Sequence, residues 1–434
     1  MAAAALVFNV VLLPRLGGRH LYRPIDHERG FPLGILLYPL SVLLLTLAFP
    51  SRLDIVAAAW GILAFGDGAA TLVGRASKRS TADHAKHAEK ILSATSASSA
   101  VSRGQLPWNP DKSVAGTLAF IVCGSAAGVA LAWWVRPAVT PTPPMAFTIA
   151  APLAAAVLAA LVETIPVRLD DNISVPLTAA LVLWLASLMT AESLYGSHSA
   201  MASALPWALG INALTGWFGY RARTVSRSGA IAGALVGAII YVGGGAGAWV
   251  LLLVTFLAAS ATSRFGLSRK EQLGIAEERG GRRGAGNAIA NCGVAAVAAV
   301  AAVTTPYAPA ALVAVVAALT AGGSDTVASE IGKAWGRSTF LVTTLRRVKP
   351  GTPGAMSREG TAAGLLAAFA LAATGASLGL IPASAILIVV TGATAGALVE
   401  SALGATLEGP GILNNDMLNF INTAVAAAVA LALA

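Results

Sequence analysis

The chain has 434 residues, a formal net charge of +9, only 11% charged residues and a mean hydropathy of +0.74. This composition excludes a soluble globular protein, because apolar runs of membrane-spanning length recur along the whole sequence. A pI near 9.9 raises nucleic acid as a partner, but the basic residues fall in short stretches between apolar runs, where topology and anionic lipid account for them. The expected partner is therefore the lipid bilayer and not nucleic acid.

In chain order, Met1–Leu13 is apolar but too short to span and lacks a basic flank, so it is expected as an interfacial helix or the remnant of a longer one. Thirteen transmembrane helices are predicted in an all-α, polytopic fold. They lie at 32–49, 53–73, 113–135, 146–165, 174–193, 205–220, 229–243, 247–264, 286–304, 308–330, 361–378, 383–402 and 417–433. If these spans simply alternate, 27 of the 29 Lys and Arg residues fall on one side, which the positive-inside rule makes cytoplasmic. Cys123 and Cys292 lie inside predicted helices, far apart in sequence, and are expected as free thiols. His84 and His87 lack nearby carboxylates or cysteines and read as solvated surface. His198, in Y-G-S-H-S, is expected in an outer loop, and G-G-G-A-G (Gly243–Gly247) as an outer hairpin.

The two halves echo each other. Gly66–Gly74 (G-D-G-A-A-T-L-V-G) is followed by Arg75, a basic stretch and then P-W-N-P-D-K-S-V-A-G-T-L-A-F (Pro107–Phe120). Downstream, Gly323–Gly332 (G-S-D-T-V-A-S-E-I-G) is followed by Lys333, a basic stretch and K-P-G-T-P-G-A-M-S-R-E-G-T-A-A-G (Lys349–Gly364). L-V-E-T (Leu161–Thr164) likewise answers L-V-E-S (Leu398–Ser401), each ahead of an Asp/Asn cluster. These correspondences predict an internal duplication, with domains at 1–200 and 201–434.

The polar residues crowd one face. A carboxylate at mid-membrane costs about 2.5–3.5 kcal/mol, so Asp67, Glu163, Asp325, Glu330 and Glu400 should face a hydrated cavity. Mg²⁺ suits such a site, since it takes one or two carboxylates together with phosphate oxygens and water. Asp325 and Glu330 are five residues apart and diverge on a regular helix, unless Gly322–Gly323 loosens it. Lys333, Arg337, Arg346, Arg347 and Lys349 can neutralise a polyphosphate, and Thr343, Thr344 and Thr352 can hydrogen-bond it. Ser113 and Ser357, near helix starts, can bring backbone N–H groups to an anion.

The first half resembles the CTP-dependent polyprenol kinases, which include dolichol and phytol kinases, in G-D-G-A-A-T-L-V-G-R (Gly66–Arg75), L-P-W-N-P-D-K-S-V-A-G-T-L-A-F (Leu106–Phe120) and E-T-I-P-V-R-L-D-D-N (Glu163–Asn172). No good match to the early Arg-Lys…His element of that family precedes Asp67, so the chain is expected to begin inside this domain. The second half resembles the transmembrane protein 19-like family, which includes plant phytyl-phosphate kinase. The resemblance rests on R-G-A-G-N-A-I-A-N-C-G-V (Arg283–Val294), Gly322–Gly354, E-S-A-L-G-A-T (Glu400–Thr406) and L-N-N-D-M-L-N-F (Leu413–Phe420). It implies that the first half phosphorylates an isoprenoid alcohol and the second converts prenyl monophosphate to diphosphate, with Mg²⁺ and with CTP or another nucleoside triphosphate as donor. On this basis Asp325, Glu330 and Asp67 are the catalytic candidates. The metal candidates are Asp325, Glu330, Glu400 and Asp416 in the second half, with Asp67, Glu163, Asp170 and Asp171 in the first. Lys112, Lys333, Arg346, Arg347 and Lys349 would clamp phosphates, with Asn172, Asn287, Asn291, Asn414 and Asn415 as polar support. Two other classes fit the sequence: a CDP-lipid synthase-like nucleotidyltransferase, and a transporter with internal repeats.

Overall fold

The computed structural model describes residues 2–22, 26–27, 31–77, 105–106, 109–165, 170–275 and 282–434. His84 and His87 lie outside the described residues. The chain forms two compact units, Met1–Ser187 and Leu188–Ala434.

The first unit contains α1 (Ala2–Leu12), α2 (Leu33–Ala48), α3 (Leu53–Ser77), the hairpin β1 (Gln105–Leu106) and β2 (Asn109–Ser113), α4 (Val114–Val135), α5 (Met145–Thr164) and α6 (Asp171–Leu188). Its core is built from small side chains. Ala58, Ala59, Ala155, Ala156, Ala159 and Ala179 are fully buried, which lets helix backbones approach closely where lipid tails offer no hydrophobic drive. Gly66 shows the same economy, because a Cβ there would stand 3.0 Å from the buried Phe120 ring. The α3 helix widens into a π-helical bulge at Ile62–Asp67, which ends on the candidate Asp67.

The second unit contains α7 (Ala191–Arg221), α8 (Arg227–Arg264), the short α9 (Leu267–Gln272), α10 (Ala285–Thr304), α11 (Ala308–Trp335), three short strands, α12 (Arg358–Ser377), α13 (Ala383–Glu408) and α14 (Asn415–Leu433). The strands β3 (Thr339–Leu341), β4 (Arg347–Val348) and β5 (Ala355–Ser357) form an antiparallel sheet in the order β4-β3-β5. At the centre lies α11, packed against α8, α10, α12, α13 and α14. In its most apolar stretch 72% of residues are buried, against 22–44% in every other candidate span. This helix meets protein on almost every side, so it can carry polar groups that lipid would not tolerate.

Ten helices among the described residues are long and apolar enough to cross a membrane. One of them, α8, breaks at Gly245, whose φ of +77° lies in the left-handed region. Its far end returns to its beginning: the Arg264 guanidinium donates to the Ala222 carbonyl at 3.2 Å, and the Asn212 side chain touches both Gly237 and Trp249. The element is therefore two antiparallel arms turning at the expected Gly-rich hairpin. With α2 and α7, which are shorter or more polar, the thirteen expected segments are all helical.

Three local expectations are corrected. The expected outer loop around His198 is helical, because α7 starts at Ala191, where Thr190 accepts from the Ser193 N–H at 3.2 Å and caps it. The stretch after Trp335 is a small sheet, not a loop. Gly322 and Gly323 stay helical and do not loosen α11; a Cβ on Gly323 would lie 2.7 Å from Thr255 and 2.8 Å from Leu371, so the glycine permits close packing.

The two units share a local design. Ser113 caps α4 through the Gly116 N–H at 3.1 Å, and Ser357 caps α12 through the Gly360 N–H at 3.0 Å. Thr117 and Thr361 each donate to the carbonyl of their capping serine. Gly74 and Gly332, at the ends of α3 and α11, each pack on that serine hydroxyl. Gly34 on α2 faces Asn172, as Gly286 on α10 faces Asp416. The repeated body is five helices, α2–α6 and α10–α14, and α7 and α8 precede its second copy.

Candidate active site

Asp325 sits on the buried helix α11, half-buried, with no hydrogen bond to its carboxylate among the described residues. Its electrostatic neighbours are the Lys333 ammonium and the Glu400 carboxylate of α13. Glu400 approaches Asn422, a fully buried α14 side chain, and among the described residues Glu400 Oε2 is buried with no hydrogen-bond partner of ordinary geometry. Buried polar atoms are nearly always paired, and two carboxylates facing each other repel in a low-dielectric interior. Asp325 and Glu400 thus form an acidic pair whose cationic neighbour among the described residues is Lys333.

Glu330 has a different setting from the one expected of a base or metal ligand. Its Oε2 is 2.5 Å from Lys270 Nζ and its Oε1 is 3.1 Å from Lys333 Nζ, so both oxygens are occupied by ammonium groups. Lys270, itself 1% exposed, also donates to the carbonyls of Thr262 and Ser263 at the end of α8. This buried network locks α8, α9 and α11 together and aims Lys333 toward Asp325. Lys270 escaped the sequence reading, because S-R-K-E-Q resembles a solvated turn and nothing in its spacing marks burial.

The other expected groups surround this centre at different depths. Thr343, Thr344, Arg346, Arg347 and Lys349 are exposed on and beside the β3–β4 hairpin, and Thr352 donates to the Lys349 carbonyl at 2.7 Å. Leu345, in the left-handed region at φ +54°, turns the hairpin and places Arg346 and Arg347 at its tip. No ion pair engages Arg346, Arg347 or Lys349 among the described residues. Asn287 and Asn291 lie one turn apart on α10, with Asn291 Nδ2 donating to the Asn287 carbonyl at 3.0 Å while Asn291 Oδ1 is buried and unpaired. Asp416 lies in the first turn of α14 against Gly286, Asn414 caps that helix through the Met417 N–H, and Asn415 is exposed. Asn422 also escaped notice, although Asn415, Asn419 and Asn422 recur at helical spacing in an otherwise apolar span.

In the first unit, one ligand oxygen each from Asp67, Glu163 and Asp171 lies within 4.8 Å of the others. Lys112 Nζ closes this group, 2.5 Å from Glu163 and 3.0 Å from Asp171. Burial alone would lower the Lys112 pKa, but the two carboxylates outweigh it and hold the pKa above the ordinary lysine value. A cavity of about 260 Å³ lined by Arg75, Asp111, Lys112, Ser113, Thr117 and Glu163 opens beside it. Asp170, expected as a ligand, stands outside this group; its Oδ1 accepts from the backbone and side-chain nitrogens of Asn172. Ser113 and Ser357 use their hydroxyls as helix caps.

A cleft of about 400 Å³ lies in the second unit between α7, both arms of α8, α10 and α11. Its walls are largely apolar, and its polar positions include Arg283, Asn287, Asn291 and Thr326. Residues 210–427, which take in the two arms of α8, the acidic pair and the basic sheet, match the family model of the integral membrane protein DUF92. The chain belongs to this family. Among DUF92-like relatives, it is 40% identical over 204 residues to the membrane protein sll0875 of Synechocystis sp., covering 45% of this chain and 78% of that one. It is 37% identical over 214 residues to the chloroplastic protein VTE6 of Arabidopsis thaliana, covering 48% of this chain and 64% of VTE6. It is 32% identical over 231 residues to the Arabidopsis protein PGR, covering 47% and 79%. The chain thus spans just under two thirds of VTE6. No solved structure matches it.

Proposed function

We propose that the second unit is a prenyl-phosphate kinase of the membrane, and that the first phosphorylates the corresponding isoprenoid alcohol. The observation that carries this reading is the Asp325–Glu400 pair, with its unpaired buried oxygen: Asp325 stands on α11, whose Gly322, Gly323 and Thr326 line an apolar cleft suited to a hydrocarbon chain. The resemblance to phytyl-phosphate kinases and polyprenol kinases supplies the reaction class. A terminal oxygen of the prenyl monophosphate attacks the γ-phosphorus of CTP or another nucleoside triphosphate. The bond from that phosphorus to the β-phosphate oxygen breaks, and the nucleoside diphosphate leaves with the electron pair.

Such transfers depend on positioning and charge neutralisation more than on covalent help from the protein. Mg²⁺ fits the donor set, since hard carboxylate oxygens are its preferred protein ligands, and Asp325 and Glu400 would hold it. When bound it would neutralise phosphate charge. Arg346, Arg347 and Lys349 would hold the nucleotide phosphates, and Asn287 and Asn291 would orient the acceptor phosphate. Lys333, held by Glu330, would bring a fixed positive charge to the centre. In the first unit the cavity beside Lys112, Arg75 and Ser113 is the matching phosphate site, with Asp67, Glu163 and Asp171 as its acids. The basic face is the cytoplasmic one in this reading.

The test is incubation of purified protein with Mg²⁺, CTP and either phytol or phytyl monophosphate, with products resolved by mass spectrometry. Asp325→Asn is expected to abolish diphosphate formation while the protein still extracts and elutes as the wild type does; near wild-type turnover by that variant would refute the site. Label from α-labelled CTP entering lipid would point instead to nucleotidyl transfer, and label from γ-labelled CTP to the kinase.

A further inference from the structure

The 400 Å³ cleft lies within the range of about 300–1,000 Å³ common for ligand pockets. Its depth and polarity follow from helix geometry. Asn287 and Asn291 are four residues apart on one face of α10, and Arg283, in the extended stretch just before that helix, continues this polar ladder along the cleft wall. Arg283 marks one end: its backbone N–H donates to the Thr224 carbonyl, and its own carbonyl accepts from Ser226, in the turn joining α7 to α8. Asn291 is about 6 Å further along the helix than Asn287, at 1.5 Å per residue, facing Gly322 of α11. At a similar depth on the other wall, Trp249 Nε1 donates to Asn212 Oδ1 at 3.0 Å, and Asn212 Nδ2 donates to the Ala208 carbonyl, so that wall is fully satisfied.

Among the described residues, two buried polar atoms in this cleft lack partners: Asn291 Oδ1 and the hydroxyl of Thr255, a residue only 7% exposed. They lie along the seam between the polar ladder and Gly322–Gly323.

The other wall contains a glycine that packing does not require. Gly233, in the first arm of α8, has an ordinary helical backbone, and a Cβ built on it would meet nothing within 4 Å. Glycine inside a helix costs roughly 0.5–1 kcal/mol relative to alanine. Neighbouring glycines differ: a Cβ on Gly216 would stand 3.0 Å from the Ala230 carbonyl, so its absence serves helix contact. At Gly233 the missing side chain instead leaves space in the cleft.

We propose that this cleft seats the isoprenoid chain of the phosphorylated substrate, with the phosphate on the Arg283–Asn287–Asn291 ladder and the chain running past Gly233. This rests on the kinase reading above and adds where the substrate lies and what selects its length. The chain enters between α7 and the arms of α8, which precede the second copy of the five-helix body. The hydroxyl and amide oxygen on the Thr255–Asn291 seam lie at the level where the polar head gives way to the first isoprene unit.

The series Gly233→Ala, Gly233→Leu and Gly233→Phe tests this, with kcat/KM measured for a C20 prenyl monophosphate and for the C5 dimethylallyl monophosphate. The ratio of C20 to C5 is expected to fall in that order, by about tenfold or more for Phe, as one or two methylenes at about 0.8 kcal/mol each lose their seat. Gly210→Phe is the matched control, because Gly210 also has open space at its Cβ but is exposed and does not line the cleft; its ratio should match the wild type. A flat ratio across the Gly233 series overturns the proposal.

Independent of turnover, a C20 monophosphate with a diazirine at its terminal isoprene should label peptides of α7 and α8. Label confined to other helices, or bilayer phospholipid retained in the cleft against excess prenyl phosphate, overturns it. Cleft labelling in a protein that transfers no phosphate to any prenyl monophosphate supports the cleft and overturns the kinase reading.

Discussion

Lys270→Met is a direct test of how the second unit keeps its polar centre in register. Lys270 and Glu330 are 1% and 2% exposed, and their charged atoms are 2.5 Å apart. Removing one partner of such a buried pair typically costs about 3–5 kcal/mol, because the other charge remains in the protein interior. Here Lys333 stays on the second Glu330 oxygen, which favours the lower end of that range. Against that, the variant also strips the Thr262 and Ser263 carbonyls at the end of α8 of their cation, which adds a further contribution of about 0.3–1 kcal/mol. The expected loss is about 3–4 kcal/mol, or roughly 10 °C in Tm for a unit of this size. It can be read by thermal melts in detergent with a thiol-reactive fluorophore, because Cys292 lies on α10 within the packed unit and reacts as the unit opens. The double variant Lys270→Met/Glu330→Leu removes both buried charges and should recover most of the loss. A single variant that melts with the wild type, or a double variant no better than the single, would refute this account of the pair.

Gly323→Val tests the packing of α11: its Cβ would stand 2.7 Å from Thr255 and 2.8 Å from Leu371. Overpacking of about 1–3 kcal/mol should appear as a lowered Tm, and an unchanged melt would show that the helices can part at no cost. Lys112→Met in the first unit removes the ammonium from Glu163 and Asp171, which lie with Asp67 inside 4.8 Å. The freed carboxylates should take up Mn²⁺ more tightly than in the wild type, measured by electron paramagnetic resonance of the free ion; equal uptake would refute the role of Lys112 as the internal counter-ion.

The apolar runs made the helical segments legible, because backbone groups in lipid must be paired within a helix and the runs must match bilayer thickness. The hairpin at Gly243–Gly247 was legible for the same reason, since neither arm could span if the turn lay elsewhere. The beginning of α7 was not, because E-S-L-Y-G-S-H-S has the composition of a loop and is helical only through the Thr190 cap and the apolar turns that follow. The β3–β5 sheet was hidden by length: strands of two or three residues are too short for alternation to register. At the candidate site, residue type and position at one face identified the acids. Which acids are already neutralised depends on contacts 51 to 60 residues apart, such as Lys112 with Glu163 and Lys270 with Glu330, and adjacent carboxylates such as Asp170 and Asp171 diverge only once their helix is placed.

The comparison between the two copies of the repeat bears most directly on which unit carries cation-dependent chemistry. Glu163 and Glu400 occupy the same place in L-V-E-T and L-V-E-S, and each is one of the acids gathered around an equivalent aspartate, Asp67 or Asp325. The residue before the capping serine differs: Lys112 precedes Ser113, whereas Met356 precedes Ser357. In the first unit that lysine reaches the glutamate and neutralises it from within. In the second unit a thioether stands in its place, Glu400 Oε2 remains buried without a hydrogen bond, and the nearest ammonium, Lys333, is shared with Glu330. Both units therefore face the same cost of a carboxylate held inside a membrane protein, and only the first meets it with a dedicated side chain. Lys112→Met should therefore make the acids of the first unit behave more like those of the second, with tighter uptake of a divalent cation.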